Sequence, residues 1–238
     1  MPAHSLPPHP GAILASPFCV VGQYELKTIG LPGSTAAPVR HVGLVSPGDR
    51  LDPGAGTVSI STSVPIPVDH LKALPSCQVA RDDSIPVHVI GAIGPYGANL
   101  TSEQAKDLEI EAAKLDGEHL VYFAHPPIER VKDPTTGRVS TRISCVGFVL
   151  SCYRNIGVEL LAPLDAPAYP TFSLTDLLRF WPELAPLATR PPRLARIGLN
   201  LQTEPWPVVM PGYLFHALAS GVRFFQPTSP TQADFWNP

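Results

Sequence analysis

The sequence predicts an α+β fold in which an antiparallel sheet packs against helices. Runs of β-branched and apolar residues, bounded by glycine or proline, concentrate in the first hundred residues. Segments with apolar residues at helical spacing follow in the second half, and strands that precede helices in this way are typical of α+β domains. The predicted strands are residues 13–21, 39–45, 57–62 and 87–93.

Capping residues mark two of the predicted helices. Residues 100–115 predict a helix that Thr101 or Ser102 can cap, and acidic residues follow in its first turns. Residues 172–180 predict a shorter helix with Ser173 as its candidate cap.

Chain length and composition predict one domain with an extension. A chain of 238 residues with 44% hydrophobic residues is sufficient for a packed core. The 30 prolines are scattered, and because proline interrupts helices and central strands, they predict short elements and long connections. We expect one domain in residues 1–185 and a proline- and aromatic-rich extension, residues 186–238, packed on it. Residues 133–138 predict a turn and residues 190–193 a junction.

The charge and the cysteine pattern argue against several classes of protein. The net charge of −3 provides no basic surface for nucleic acid, so we expect no nucleic-acid partner. The cysteines show neither Cys-x-x-Cys pairs nor zinc spacing, so we expect no metal and no cofactor. No apolar run reaches the ~20 residues of a membrane span, and the N-terminal residues lack a secretory signal. We therefore expect a cytoplasmic protein, although signal-independent export would leave the same pattern.

Cys145 is the candidate nucleophile because it opens an apolar helix. From Val146 onward the apolar residues fall at helical spacing, and Gly157 is placed to end the helix after about three turns. A thiol at a helix N-terminus lies at the positive end of the helix dipole, which favours the reactive thiolate. The alternative is that Cys145 is a buried small apolar residue, as free cysteines often are.

His41 is the candidate base for this thiol. It lies in the apolar run Val39-Arg40-His41-Val42-Gly43-Leu44-Val45, which predicts a half-buried strand. A thiol nucleophile needs a base close in space, whatever the position of that base in the chain. The residue pattern alone does not choose among the histidines. The competing ones are His4, His9, His70, His88, His119, His125 and His216.

The order of several short segments resembles a known family. In chain order the segments are Gly11-Ala12-Ile13-Leu14, His41-Val42-Gly43-Leu44-Val45, Thr57-Val58-Ser59-Ile60-Ser61-Thr62, Val64-Pro65-Ile66-Pro67-Val68-Asp69-His70-Leu71, Asn99-Leu100-Thr101-Ser102-Glu103-Gln104 and Cys145-Val146-Gly147-Phe148-Val149. From Pro10 to about Trp181 the chain resembles the circularly permuted NlpC-like cysteine hydrolases, a papain-like group that includes relatives of lecithin-retinol acyltransferase. The resemblance implies a papain-like core in which the nucleophile helix packs against an antiparallel sheet carrying His41.

The resemblance also implies a reaction and roles for individual residues. Cys145 would attack a peptide-type amide as a thiolate and His41 would transfer the proton, as in cysteine peptidases and amidases. The third polar residue of the family falls on a strand that offers hydroxyl groups, so Ser61 or Thr62 would orient His41. Where the family has Ser-Glu after its cysteine, this chain has Val146-Gly147.

Three functions remain open at this stage. Peptide amide hydrolysis is the first, since an acyl-lipid enzyme is expected to show an apolar membrane-docking segment and none is evident. The second is a lipid acyl hydrolase or acyltransferase with the same Cys-His pair. The third is a catalytically inactive module that binds a peptide or protein partner, which the departures from the family pattern would suit. The partner is accordingly a peptide substrate, an acyl substrate or a protein.

The extension in residues 186–238 carries aromatic residues, arginines and a predicted helix at residues 211–220. Aromatic residues of this kind usually cover a core. Together with arginines they are also favoured at interfaces. The extension therefore either covers the core or forms a surface for a protein partner or for the substrate.

Overall fold

The computed structural model describes the backbone of the strands in the first hundred residues, and residues 101–229 apart from 117, 126, 182–183 and 221–223. Within these limits the chain has the predicted α+β composition of strands followed by helices. Predictions that fall elsewhere, such as Ser61, lie outside the described residues.

An antiparallel sheet forms in the first hundred residues. The strands there are β1 (Ile13–Ser16), β2 (Cys19–Val21), β3 (Glu25–Lys27), β4 (His41–Val45), β5 (Val58–Ser59), β6 (Thr62–Pro67), β7 (Cys77–Ala80) and β8 (Pro86–Val89). Six of them form one sheet in the order β5-β8-β1-β4-β6-β7, and β2 pairs with β3. The predicted strand at residues 13–21 is thus divided in two.

The second half contains helices and a three-stranded sheet. Its elements are α1 (Ser102–Asp116), β9 (Leu120–Tyr122), β10 (Ile128–Lys132), β11 (Val139–Ile143), α2 (Cys145–Asn155), α3 (Leu174–Phe180), α4 (Ala185–Ala188), α5 (Pro191–Arg196) and α6 (Pro211–Ser220). Strand β11 is central, antiparallel to β10 and parallel to β9. Residues 190–193 are not a junction but the cap and first turn of α5. Prolines fit there because the first helical N–H groups have no acceptor within the helix.

Local hydrogen bonds explain where two helices begin, and the backbone conformation of one glycine explains where a third ends. Thr101 Oγ1 accepts the N–H of Gln104 at 3.1 Å, and Gln104 Oε1 accepts the Thr101 N–H at 3.0 Å. Ser173 and Asp176 form the same reciprocal pair, and the hydrogen bonds from Ser173 hold the pKa of the Asp176 carboxyl below its usual range. Gly157 follows α2 with φ of +79°, a conformation that favours glycine. The predicted caps Thr101 and Ser173 and the predicted helix end at Gly157 are confirmed.

Helix α2 lies at the centre of the core. It packs against β4 and β6 of the larger sheet, against β10 and β11, and against α1 and α6. Its buried residues Phe148 and Tyr153 belong to one apolar cluster with Leu194 and Trp206 of the extension. Trp206 also exchanges two backbone hydrogen bonds with Phe172, at 2.9 and 3.0 Å. The extension therefore shares its apolar core with α2.

Candidate active site

Cys145 is the first residue of α2, as predicted. The N-cap is Ser144, whose Oγ accepts the N–H of Gly147 at 3.0 Å and whose carbonyl accepts the N–H of Phe148 at 2.9 Å. Cys145 is 7% exposed and lies at the positive end of the helix dipole. Ser144 was not among the predicted residues, although a serine directly before a helical run is a common capping signal.

Cys152 lies two turns further along α2 in a different environment. It is 0% exposed. Burial raises the pKa of its thiol to about 12, and the negative charge of Glu111 contributes to the increase. Near neutral pH Cys152 is therefore a protonated, unreactive thiol.

We expect iodoacetamide to label Cys145 faster than Cys152 in the native protein near neutral pH. The reason is that the helix dipole favours thiolate at Cys145, whereas burial opposes it at Cys152. Timed quenching and peptide mass spectrometry give the rate at each cysteine, and Cys19 and Cys77 are also expected to react more slowly than Cys145. Labelling in denaturant serves as the control, because the difference should then disappear. Equal rates in the native protein would show that Cys145 is an ordinary core residue.

The helix that begins with Cys145 packs directly against the strand that begins with His41. Helix α2 contacts β4, and β4 lies between β1 and β6 in the larger sheet. The structure thus brings together the two elements that carry the predicted nucleophile and the predicted base. A hydrogen bond between the two side chains stays a prediction.

The predicted third residue lies at the other end of β4. Thr62 begins β6 and pairs with Val45, the last residue of β4. Val45 is four positions after His41, which is roughly 13 Å along an extended strand. The register therefore does not place Thr62 beside His41. The register partner of His41 on β1 is Ser16, a pairing between distant segments that no local sequence pattern indicates.

The connection between β9 and β10 passes over the first turn of α2. We call residues 123–127, of which residue 126 is not described, the crossing loop. Phe123 at its start donates its N–H to the Ile143 carbonyl at 3.0 Å, and Pro127 at its end accepts the N–H of Ser144 at 3.0 Å. The approach to Gly147 is so close that a Cβ there would lie 1.6 Å from the Pro127 carbonyl oxygen. Only glycine fits at this position of α2.

The extension holds the crossing loop from the other side. Ala124 donates its N–H to the Ile197 carbonyl at 2.8 Å. Gly198 has φ of +90°, and a Cβ there would lie 1.7 Å from the His125 carbonyl oxygen. Burial lowers the pKa of the His125 imidazole, and a hydrogen bond to the Pro207 carbonyl partly offsets the decrease. His125 therefore ties the crossing loop to the extension through this hydrogen bond.

Neither a metal site among the described residues nor a similar known protein adds information about the chemistry of this site. Among the described residues, no group of three His, Cys, Asp or Glu side chains is arranged to hold a metal ion. In the same part of the chain, no helix is both long enough and apolar enough to cross a membrane. Comparisons with protein-family models, curated proteins and solved structures gave no match. The assignment of function therefore depends on the residues and their geometry.

Proposed function

We propose that the protein is a cysteine hydrolase that cleaves peptide-type amide bonds through Cys145 and His41 in a papain-like core. One observation carries this proposal: α2 begins at Cys145, is capped by Ser144, and packs against the strand that begins at His41. Amide hydrolysis by a thiol nucleophile needs the thiol and an imidazole base on elements that are held against each other.

The proposed reaction passes through a thioester. His41 takes the proton of Cys145, and the sulfur bonds to the carbonyl carbon while the C=O π electrons move to the oxygen. When the C–N bond breaks, the imidazolium of His41 gives its proton to the leaving amine. Water then adds to the thioester with His41 again as base, and the acid leaves as the Cys145 thiol is restored.

The first turn of α2 supports the oxyanion in this reaction. Ser144 fixes the start of this turn: its N–H is bound by the Pro127 carbonyl and its Oγ accepts the Gly147 N–H, each at 3.0 Å. The Cys145 N–H is adjacent to the attacking sulfur along the chain and lies at the positive end of the helix dipole. We assign the Cys145 N–H as an oxyanion donor.

The residues after Cys145 have a structural explanation. Val146 is 1% exposed and belongs to the core, and Gly147 is required by the approach of the Pro127 carbonyl. The replacement of the family's Ser-Glu by these two residues is therefore a packing requirement of this chain. It does not favour the inactive module over the hydrolase.

Intact-mass spectrometry of the protein with activated substrates tests the proposal. We expect a peptide ester to leave an acyl adduct on Cys145 that neutral hydroxylamine removes, because a thioester reacts with hydroxylamine and an amide does not. A Cys145→Ala variant should form no adduct. A Cys152→Ala variant should form it normally, since the buried Cys152 takes no part.

Substrate class decides between the proposal and its rivals. Adducts from peptide esters and hydrolysis of the matching peptide amides support the peptidase. Adducts from fatty-acyl esters alone would contradict it in favour of the lipid acyl hydrolase or acyltransferase. No adduct from either class, in protein whose Cys145 is still alkylated by iodoacetamide, would indicate the inactive binding module.

A further inference from the structure

Strand β10 has an outer edge whose backbone groups point away from its sheet. It is an edge strand in the order β10-β11-β9. Ser144 donates its N–H to the Pro127 carbonyl at 3.0 Å, and Asp133 donates its N–H to the Arg138 carbonyl at 2.8 Å. Hydrogen-bonded pairs in an antiparallel ladder alternate with pairs whose N–H and C=O groups point outward. The outward groups of β10 therefore belong to Ile128, Arg130 and Lys132.

This edge is able to accept another strand. Within the described part of the chain, no strand pairs with the outer side of β10. Arg130 and Lys132 are exposed and Ile128 is partly exposed. An open edge of this kind binds extended peptides, because main-chain hydrogen bonds provide affinity and the side chains beside them provide selectivity.

The charges along β10 are compensated at one end only. Near α2, Glu129 pairs with Arg142 and Arg130 pairs with Glu118. Lys132, at the far end, is exposed and has no carboxylate partner among the residues that the structure describes. The far end of β10 therefore favours an acidic side chain on an added strand.

The turn after β10 does not cancel this positive charge. The Asp133 carboxylate accepts the backbone N–H groups of Thr135 and Thr136, each at 2.8 Å, and is thus held within the turn. Arg138 follows, exposed, and also lacks a carboxylate partner in the described part of the chain. Lys132 and Arg138 together give this end of the hairpin a positive potential.

The other end of the edge leads to the nucleophile. Ile128 pairs with Ile143, two residues before Cys145, and β10 packs against α2. A strand added antiparallel to β10 runs from Lys132 toward Ile128, about 13 Å, and its C-terminal end reaches the first turn of α2. We propose, on the basis of the proposed function, that the β10 edge binds the substrate segment N-terminal to the scissile bond as an added antiparallel strand, with an acidic side chain against Lys132.

Peptide binding to the full-length Cys145→Ala variant tests this inference. The probe is a fluorescein-labelled hexapeptide amide with glutamate at its first and third positions, and fluorescence anisotropy gives the Kd. We expect Lys132→Glu to raise the Kd by roughly fivefold, since an attractive surface charge pair becomes repulsive. Lys106→Glu, the same change at an exposed lysine of α1, is the matched control and should leave the Kd unchanged.

N-methylation of the probe reports the strand pairing itself. Probes with one methyl group each are compared. Methylation should weaken binding by roughly tenfold or more at every second backbone nitrogen and have little effect at the nitrogens between them, because only every second N–H donates to the β10 edge. Methylation that acts equally at all positions, or at none, would overturn the inference, as would indifference to Lys132→Glu.

The outcomes also separate this inference from the proposed hydrolase. An alternating methylation effect without any acyl adduct on wild-type Cys145 would overturn the hydrolase and leave the peptide-binding edge. If Cys145 forms acyl adducts to the same extent with Lys132→Glu and with methylated peptides, the peptide-binding edge would be contradicted and the hydrolase would remain.

Discussion

Replacing His41 by alanine is expected to lower turnover by roughly 10²–10⁴-fold, the contribution of a positioned general base. The alkylation of Cys145 should also slow, because the thiol would lose the imidazole that shares its proton. Both rates are measured on the same preparation, with a peptide substrate and with iodoacetamide. A parallel loss in the two measurements identifies His41 as the base of the Cys145 thiol.

Two other histidines provide matched controls for this substitution. His119 is exposed, so His119→Ala should change neither rate. His125→Ala removes the hydrogen bond to the Pro207 carbonyl and should lower stability by about 1 kcal/mol with Cys145 reactivity largely intact. A His125 variant without turnover, beside an active His41 variant, would make His125 the base.

The features that sequence predicted well are those determined by neighbouring residues. Thr101 and Ser173 cap their helices through residues three positions later, and Gly157 ends α2 through its own backbone conformation. Each signal is complete within one or two turns of the chain. The start of α2 at Cys145 was predicted for the same reason.

Several short elements whose local pattern is mixed with charged residues or prolines were missed. Strands β10 and β11 carry charged residues, and only the turn between them, residues 133–138, was predicted. Strand β6 contains Pro65 and Pro67, which argue against a strand in any local pattern. Helices α4 and α5 are short and contain prolines, and residues 190–193 were interpreted as a junction. Their formation depends on packing against distant parts of the chain.

The site shows the same division between local and distant information. The position of Cys145 at a helix start follows from its neighbours, whereas the register of β4 depends on segments far away in the chain. Thr62 was predicted, with Ser61, because the resemblance places a third polar residue on that segment, but the register pairs Thr62 with Val45. The contact of the crossing loop with Gly147 joins positions 20 residues apart in the sequence (147 − 127 = 20), and no periodicity indicates it.

Replacement of Gly147 by alanine is expected to have the second large effect. Helix propensity and packing predict opposite signs for the change in stability. Glycine inside a helix is about 1 kcal/mol less favourable than alanine, so Gly147→Ala would stabilise an isolated α2. In this fold the added Cβ would lie 1.6 Å from the Pro127 carbonyl oxygen and 2.4 Å from the Pro127 carbonyl carbon. Backbone atoms cannot avoid the contact by a change of rotamer, as a side chain can. The crossing loop or the first turn of α2 must therefore shift.

We expect Gly147→Ala to lower the free energy of unfolding by about 3 kcal/mol, at the upper end of overpacking costs, and to change the alkylation rate of Cys145. The shift would disturb the hydrogen bond from the Ser144 N–H to the Pro127 carbonyl, which fixes the start of the nucleophile helix. Urea unfolding measures the first effect, and iodoacetamide labelling in native buffer measures the second.

Gly157→Ala is the matched control at the other end of α2. Nothing lies within 4 Å of a Cβ at Gly157, so the cost is limited to the left-handed backbone at φ +79°, about 1–2 kcal/mol. Cys145, three turns away, should be alkylated at the wild-type rate in this variant. If Gly147→Ala were instead as stable as the wild type, or more stable as helix propensity predicts, the Pro127 carbonyl would not lie against α2. The crossing loop would then not determine where the Cys145 helix begins.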